Sequence, residues 1–186
     1  MNYLLTDAAA AALRHVDTEV RDMIALALHA LERLPGYLEA YRAALAEDRT
    51  LAECLQIDPG LPERCRQLAQ RLCEQGEFLL ALPLAMYCAS FVSDDPEHSF
   101  LAGACLQRLG QPASAAHFYR VALQLDESDA ASAYRFGECL EALGQREDAC
   151  HLYQWAIELS RGNFALRTLQ DMASSRLAQL DAARQA

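Results

Sequence analysis

Apolar and small residues recur along this chain three and four positions apart and almost nowhere alternate. That spacing builds one face of a helix. The apolar runs are Leu and Ala, not Val and Ile, so helices are expected throughout and no strand. Over residues 7–34, Leu13, Val16, Val20, Ile24, Ala27 and Leu31 form one stripe of an amphipathic helix. Pro35-Gly36 predicts the end of that run, followed by a second short helix over 37–47. Thr50-Leu51-Ala52-Glu53 has the form of a capping box for a third helix, and Asp58-Pro59-Gly60 reads as a turn. At the other end Leu166, Leu169, Ala173, Leu177 and Leu180 make the apolar stripe of a closing helix.

Between these flanks the pattern repeats. Gly76, Gly110 and Gly144 stand 34 residues apart, and so do Ala81, Ala115 and Ala149. Gly103 and Gly137, Cys105 and Cys139, His117 and His151, and Tyr119 and Tyr153 keep the same step. A period of about 34 residues is that of the tetratricopeptide unit, a helix, a turn and a helix. The expected fold is therefore all-α, a tetratricopeptide solenoid with three hairpins over 62–95, 96–129 and 130–163. Residues 1–61 form an N-terminal helical region, and residues 164–186 a C-terminal capping helix, since end units of a solenoid have one face without a neighbour. In each unit the shared glycine stops helix A in the left-handed conformation. Ala69, Gly103 and Gly137 let helix A approach helix B, as Ala81, Ala115 and Ala149 do from the other side. Leu72, Leu106 and Leu140 fill the space between helices, and Cys88, Ala122 and Ala156 hold one further small position. Tyr119 and Tyr153 are the large aromatics of helix B, where the first unit has Ala85. Asp95-Pro96 reads as a cap followed by a first-turn proline, a part also open to Pro62 and Pro112.

Composition narrows the function. The chain carries 16 basic residues, all Arg, against 26 acidic ones, for a formal charge of −10. Such a surface repels phosphate, which points away from nucleic acid. The last stretch, 161–186, holds four Arg and two Asp, so the acidity lies in the body. No run reaches the roughly 18 apolar residues of a membrane-spanning helix. Met1 to Asp7 shows no basic stretch ahead of an apolar one, so no secretory signal is expected. The seven cysteines never fall as C-x-x-C and read as reduced, small hydrophobes of a cytosolic protein. Cys65, between Arg64 and Arg66, is not expected to react, because neighbours on a helix diverge. His15, His29, His98, His117 and His151 lack metal-ligand spacing and read as helix-surface residues. Asp94-Asp95 and Glu147-Asp148 sit where helix starts attract negative charge. No phosphate loop or nucleophile elbow appears, so neither catalysis nor a cofactor nor a metal is expected.

What remains is a peptide groove. In a stack of this kind the A helices line the concave face. Unit positions two, five, nine and twelve supply Glu63, Arg66, Gln70 and Cys73 from the first repeat. The second supplies Glu97, Phe100, Ala104 and Gln107, and the third Ala131, Tyr134, Glu138 and Glu141. Phe100 and Tyr134 share position five and are expected as aromatic anchors. The alternative packs them between neighbouring A helices.

The run Phe100-Leu101-Ala102-Gly103-Ala104-Cys105-Leu106-Gln107-Arg108-Leu109-Gly110-Gln111 resembles the second repeat of the class II, translocator chaperones of bacterial type III secretion. That family shows F-L-G-x-G-A-C-x-Q-x-x-G-Q there. Glu138-Cys139-Leu140 followed by Gly144 resembles its E-C-L-x-x-x-G, and the likeness extends over about residues 50–180. The resemblance implies a protein of the bacterial cytoplasm that binds the hydrophobic translocator proteins before export. It implies a client segment in the concave groove, a homodimer through N-terminal helices and, in some members, action with a transcriptional activator. Members usually carry aromatic residues in the first-repeat groove, where this chain has Arg66, Gln70 and Cys73. Residues 1–49 are also longer than usual, as an extended dimer contact or a cover folded over the groove. The competing reading is a general tetratricopeptide adaptor outside secretion. A groove holding Glu63, Glu97, Glu138 and Glu141 disfavours the acidic tail that a common adaptor type clamps.

Overall fold

The computed structural model describes residues 11–14, 16–44, 58, 60–92 and 94–185. Its helices run in the order α1 (Thr18–Ala44), α2 (Leu61–Glu74), α3 (Phe78–Phe91), α4 (Pro96–Arg108), α5 (Pro112–Leu125), α6 (Ala130–Ala142), α7 (Arg146–Ser160) and α8 (Arg167–Gln185). A turn of 3-10 helix, Phe164–Leu166, precedes α8. No strand occurs among the described residues. The chain divides into two compact units, Met1–Cys105 and Leu106–Ala186.

One cap recurs through both. At the end of α2, Gly76 takes φ 81°. Its N–H donates to the Cys73 carbonyl at 3.0 Å, and the Glu77 N–H donates to Leu72 at 2.8 Å. This is the Schellman arrangement, which satisfies carbonyls that a helix end leaves open. Gly110 and Gly144, at φ 73° and 77°, repeat it. There the Gly110 and Gln111 N–H groups donate to Gln107 and Leu106, and those of Gly144 and Gln145 to Glu141 and Leu140. An L side chain is strained at such angles, so the 34-residue spacing of these glycines is a backbone requirement.

In the first unit α3 is the core. Its sequence is apolar all round, and Leu80, Ala81, Leu84, Ala85, Tyr87, Cys88 and Phe91 are all buried. A helix of that kind must be covered on several sides. α2 covers it with Leu68, Ala69 and Leu72, and α1 with Ile24, Ala27 and Leu31. Tyr87 and Phe91 lie with ring centroids 4.8 Å apart. The α4 start follows the expected cap, with the Glu97 N–H donating to Asp95 Oδ1 at 2.9 Å.

Two expectations for the N-terminal region need correction. The helical stripe is not continuous: residues 11 and 12 are helical, the chain then turns, and α1 begins at Thr18, where Asp17 Oδ1 accepts the Val20 N–H at 2.9 Å. Arg21 instead clasps the preceding segment, donating to the carbonyls of Leu13 and Val16 at 3.2 Å each. Nor does Pro35-Gly36 end it, since α1 continues to Ala44 and no separate helix starts at 37. Proline's fixed φ lies within the helical range, so its interior cost is one lost hydrogen bond and a clash, which a long helix can absorb as a kink. The capping box at Thr50–Glu53 lies outside the described residues. The turn before α2 forms: Asp58 accepts the Gly60 N–H on Oδ1 and the Leu61 N–H on its carbonyl, both at 2.9 Å.

In the second unit α5, α6, α7 and α8 surround Leu123, Ala133, Tyr134, Leu140, Ala149, Tyr153, Ala156 and Ala173. Leu169, Leu177 and Leu180 of the closing helix pack on this cluster from outside. Asp129 caps α6, accepting from the N–H groups of Ala131 and Ser132 at 2.9 and 3.2 Å. Gly137 lies close against α7: a Cβ added there would stand 2.8 Å from Tyr153 Cε1. The Tyr153 ring cannot swing away, being fully buried with its hydroxyl bonded to Glu141 at 2.7 Å. Alanine normally stabilises a helix by roughly 1 kcal/mol over glycine. Here Gly137→Ala is expected to destabilise instead, by about 1–3 kcal/mol, as overpacked contacts do. Thermal unfolding of the variant checks this, and a raised midpoint would show that the contact yields.

Candidate functional site

The A helices α2, α4 and α6 carry the expected groove positions, and each compact unit holds its own set. In the first unit Arg66 is engaged by its own helix. Its Nε and Nη2 donate to Glu63 Oε2 and Oε1 at 2.7 and 2.6 Å, and Nη1 lies 3.8 Å from Glu97 Oε2. Gln67 adds a bond to Glu63 at 2.7 Å. These donors, Arg66 first, hold the Glu63 carboxyl down to about 2, so it stays charged at any ordinary pH. Gln70, Phe100 and Ala104 are half-buried. Cys73 is half-buried too, with its Sγ 3.3 Å from Cys105 Sγ.

The second unit holds the third-repeat positions and Gln107 in two parallel chains. The Tyr119 hydroxyl donates to Gln107 Oε1 at 2.9 Å. Gln107 Nε2 then donates to Glu138 Oε2 at 3.1 Å, which also accepts from Arg135 Nη1 at 2.8 Å. One period on, the Tyr153 hydroxyl donates to Glu141 Oε2, and Arg176 of α8 lies 3.6 Å from Glu141 Oε1. In both hairpins a fully buried helix-B tyrosine thus fixes position twelve of helix A. Burial, and then the bond to Glu141, push the Tyr153 hydroxyl far above the ordinary tyrosine range, so it remains a donor. The first repeat has Ala85 in place of the tyrosine, and its position twelve is Cys73.

Tyr134 departs from the expected anchor. It is 3% exposed, with its ring centroid 5.7 Å from that of Tyr153 and the Arg135 guanidinium 5.8 Å from its centre. It helps line a shallow pocket with Thr168, Met172, Ser175, Arg176 and Gln179 of α8. The closing helix covers this A helix, a contact that a register count within the repeat does not contain. His98 is the second departure: it is buried, not on the surface, with Nδ1 3.0 Å from the Val92 carbonyl. Cys65, Cys88 and Cys139 are buried, and burial raises their thiols to about 11, 12 and 12. Among the described residues no three His, Cys, Asp or Glu side chains gather as for a metal, and no helix is long and apolar enough to cross a membrane.

Comparison with known proteins follows the same repeat. A family model for anaphase-promoting complex, cyclosome, subunit 3, matches residues 81–156. No curated protein matches. Among solved structures, a type III secretion complex from Aeromonas hydrophila superposes with TM-score 0.72 at 22% identity, over 79% of this chain and 98% of that one. The Yersinia enterocolitica type III secretion chaperone SycD, in complex with a peptide of the translocator YopD, gives TM-score 0.66 at 23% identity, over 69% and 98%. The first tetratricopeptide domain of Spaghetti (RPAP3), bound to the HSP90 peptide SRMEEVD, gives 0.62 at 20%, over 70% and 98%. The chain thus has the all-α tetratricopeptide fold of these solved structures.

Tyr134→Ala is expected to lower stability by about 3 kcal/mol or more, as large-to-small changes in a packed core do. Urea unfolding measures it. A change under 1 kcal/mol would return Tyr134 to the surface.

Proposed function

We propose that this chain is a cytoplasmic chaperone of bacterial type III secretion. It binds an apolar segment of a translocator protein along the A-helix faces and keeps that client soluble and fit for export, without catalysis. The observation that carries this is the coincidence of two independent likenesses. The run Phe100–Gln111 resembles the family's second repeat, and the fold superposes on nearly the whole of a chaperone solved with a translocator peptide. Phe100 is the aromatic contact for the client, and Glu63, Arg66, Gln70, Cys73, Glu97, Ala104, Gln107, Glu138 and Glu141 form the surroundings of its backbone. Two copies pair through the N-terminal helical region.

The likeness to a domain that holds the HSP90 peptide favours the adaptor reading, but the charges oppose it. An acidic tail needs cations free to meet its carboxylates. At the groove positions Arg66 already serves Glu63 and faces Glu97, and neighbouring Arg135 serves Glu138. An apolar segment does not require those charges.

Co-expression with a translocator protein tests the proposal. A client insoluble alone is expected to stay soluble with this chain and to elute with it. A client that still precipitates, or a chain that captures an acidic tail instead, would sink it. Phe100→Ala is expected to weaken the complex by about 1–3 kcal/mol, as central aromatic contacts do, and by more than it destabilises the free chain. Titration of a client peptide reads the first effect and thermal unfolding the second.

A further inference from the structure

Position twelve is where the first repeat breaks the pattern of the other two. In those, a helix-B tyrosine holds a Gln or Glu. Here Cys73 has no tyrosine beneath it, because the matching residue is Ala85, and its sulfur meets Cys105 of α4 across 3.3 Å. That is hydrogen-bond range for two thiols, and a contraction of roughly 1.3 Å would bring them to the 2.05 Å of a disulfide. Both residues lie in the compact unit Met1–Cys105. Cys105 is fully buried, whereas Cys73 is partly open to solvent.

We propose that Cys73 and Cys105 are a reversible oxidation site, closing a disulfide that staples α2 to α4 on exposure to a peroxide. The chemistry balances in two steps. Cys73 attacks the peroxide and becomes a sulfenic acid, releasing one water from hydrogen peroxide; the Cys105 sulfur then displaces the sulfenic hydroxyl, and its proton leaves with it as a second water. Two electrons pass from the thiols to the peroxide, and a small-molecule thiol returns them. In a reducing compartment such a bond is transient and serves sensing, not architecture.

The microenvironment separates this pair from the other described cysteines. The contact with Cys105 holds the Cys73 thiol below its ordinary range, while Cys105 is pushed up by the same contact and by burial. Cys65 and Cys88 are raised by burial alone or chiefly so. The partly exposed member is thus the better nucleophile and its buried neighbour the resolving thiol. The site stands whether or not the chain is a secretion chaperone.

The test uses the full chain, treated with hydrogen peroxide, alkylated and mapped by mass spectrometry. No Arg or Lys lies between Leu72 and Arg108, so trypsin leaves Cys73, Cys88 and Cys105 on one peptide. Cleavage after Glu74, Glu77 and Glu97 separates all three. The expected product is a Cys73–Cys105 cross-link, two hydrogens lighter than the reduced pair, reversed by dithiothreitol and absent in Cys73→Ser. Its thermal unfolding midpoint should exceed that of the reduced chain, with no such shift in the Cys73→Ser variant. A reduced pair after treatment, Cys73 carried only to sulfinic acid, or a link from either residue to another cysteine would overturn the proposal.

Discussion

The left-handed residue that closes each A helix is the constraint from which the hairpins follow. At Gly76, Gly110 and Gly144 the chain must reverse within a few residues while leaving no helix carbonyl stranded. Only a positive φ allows the two backbone bonds that do both. The same two bonds form each time, and small residues are buried in the hairpins they close: Ala69 and Ala81 in the first, Gly137 and Ala149 in the third. Change the cap, and the close approach of Gly137 to the buried Tyr153 would be lost.

That close approach also decides the chemistry of the A-helix surface. A tyrosine buried on helix B can satisfy its hydroxyl only by reaching up to helix A, since a buried donor without a partner costs about 1–3 kcal/mol. It finds position twelve, and so a residue that a register count assigns to the groove is also a structural acceptor. Gln107 and Glu141 are therefore tied to the core. Their orientation is set from below, by a core side chain, and to that extent these two positions are rigid.

Much of this was legible in the residue pattern, because it is local or periodic. Glycine spacing located the caps, and shared small and large positions placed Leu72, Leu106, Leu140 and both tyrosines in the core. What escaped depends on contacts outside the repeat. Tyr134 looked like a groove residue until the closing helix α8 came to lie beside it. His98 looked exposed because its partner is a carbonyl, that of Val92, which no side-chain pattern reveals. Pro35-Gly36 looked like a stop because the rules for proline weigh one lost bond, and not the buried stripe of Ile24, Ala27 and Leu31 that anchors the helix before it. The Cys73–Cys105 contact was hidden for the opposite reason. Its signal is a missing tyrosine, visible at Ala85, but a missing side chain does not say which neighbour fills the place.

The first repeat is therefore the one to which the general scheme applies least, and the difference has a direction. Where the later repeats hold their A-helix positions with a buried hydroxyl, the first uses ion pairs along α2 and a thiol contact to α4. Charged groups at an exposed helix face contribute little rigidity, because water and salt compete for them. A thiol contact is weaker than the tyrosine hydroxyl bonds, to an amide or a carboxylate oxygen, that stand in its place elsewhere. Local stability within one chain follows such differences. Position twelve of the first repeat is thus held more softly than Gln107 and Glu141 are in theirs. It is in this repeat that aromatic residues usual in the resembling family are replaced by Arg66, Gln70 and Cys73.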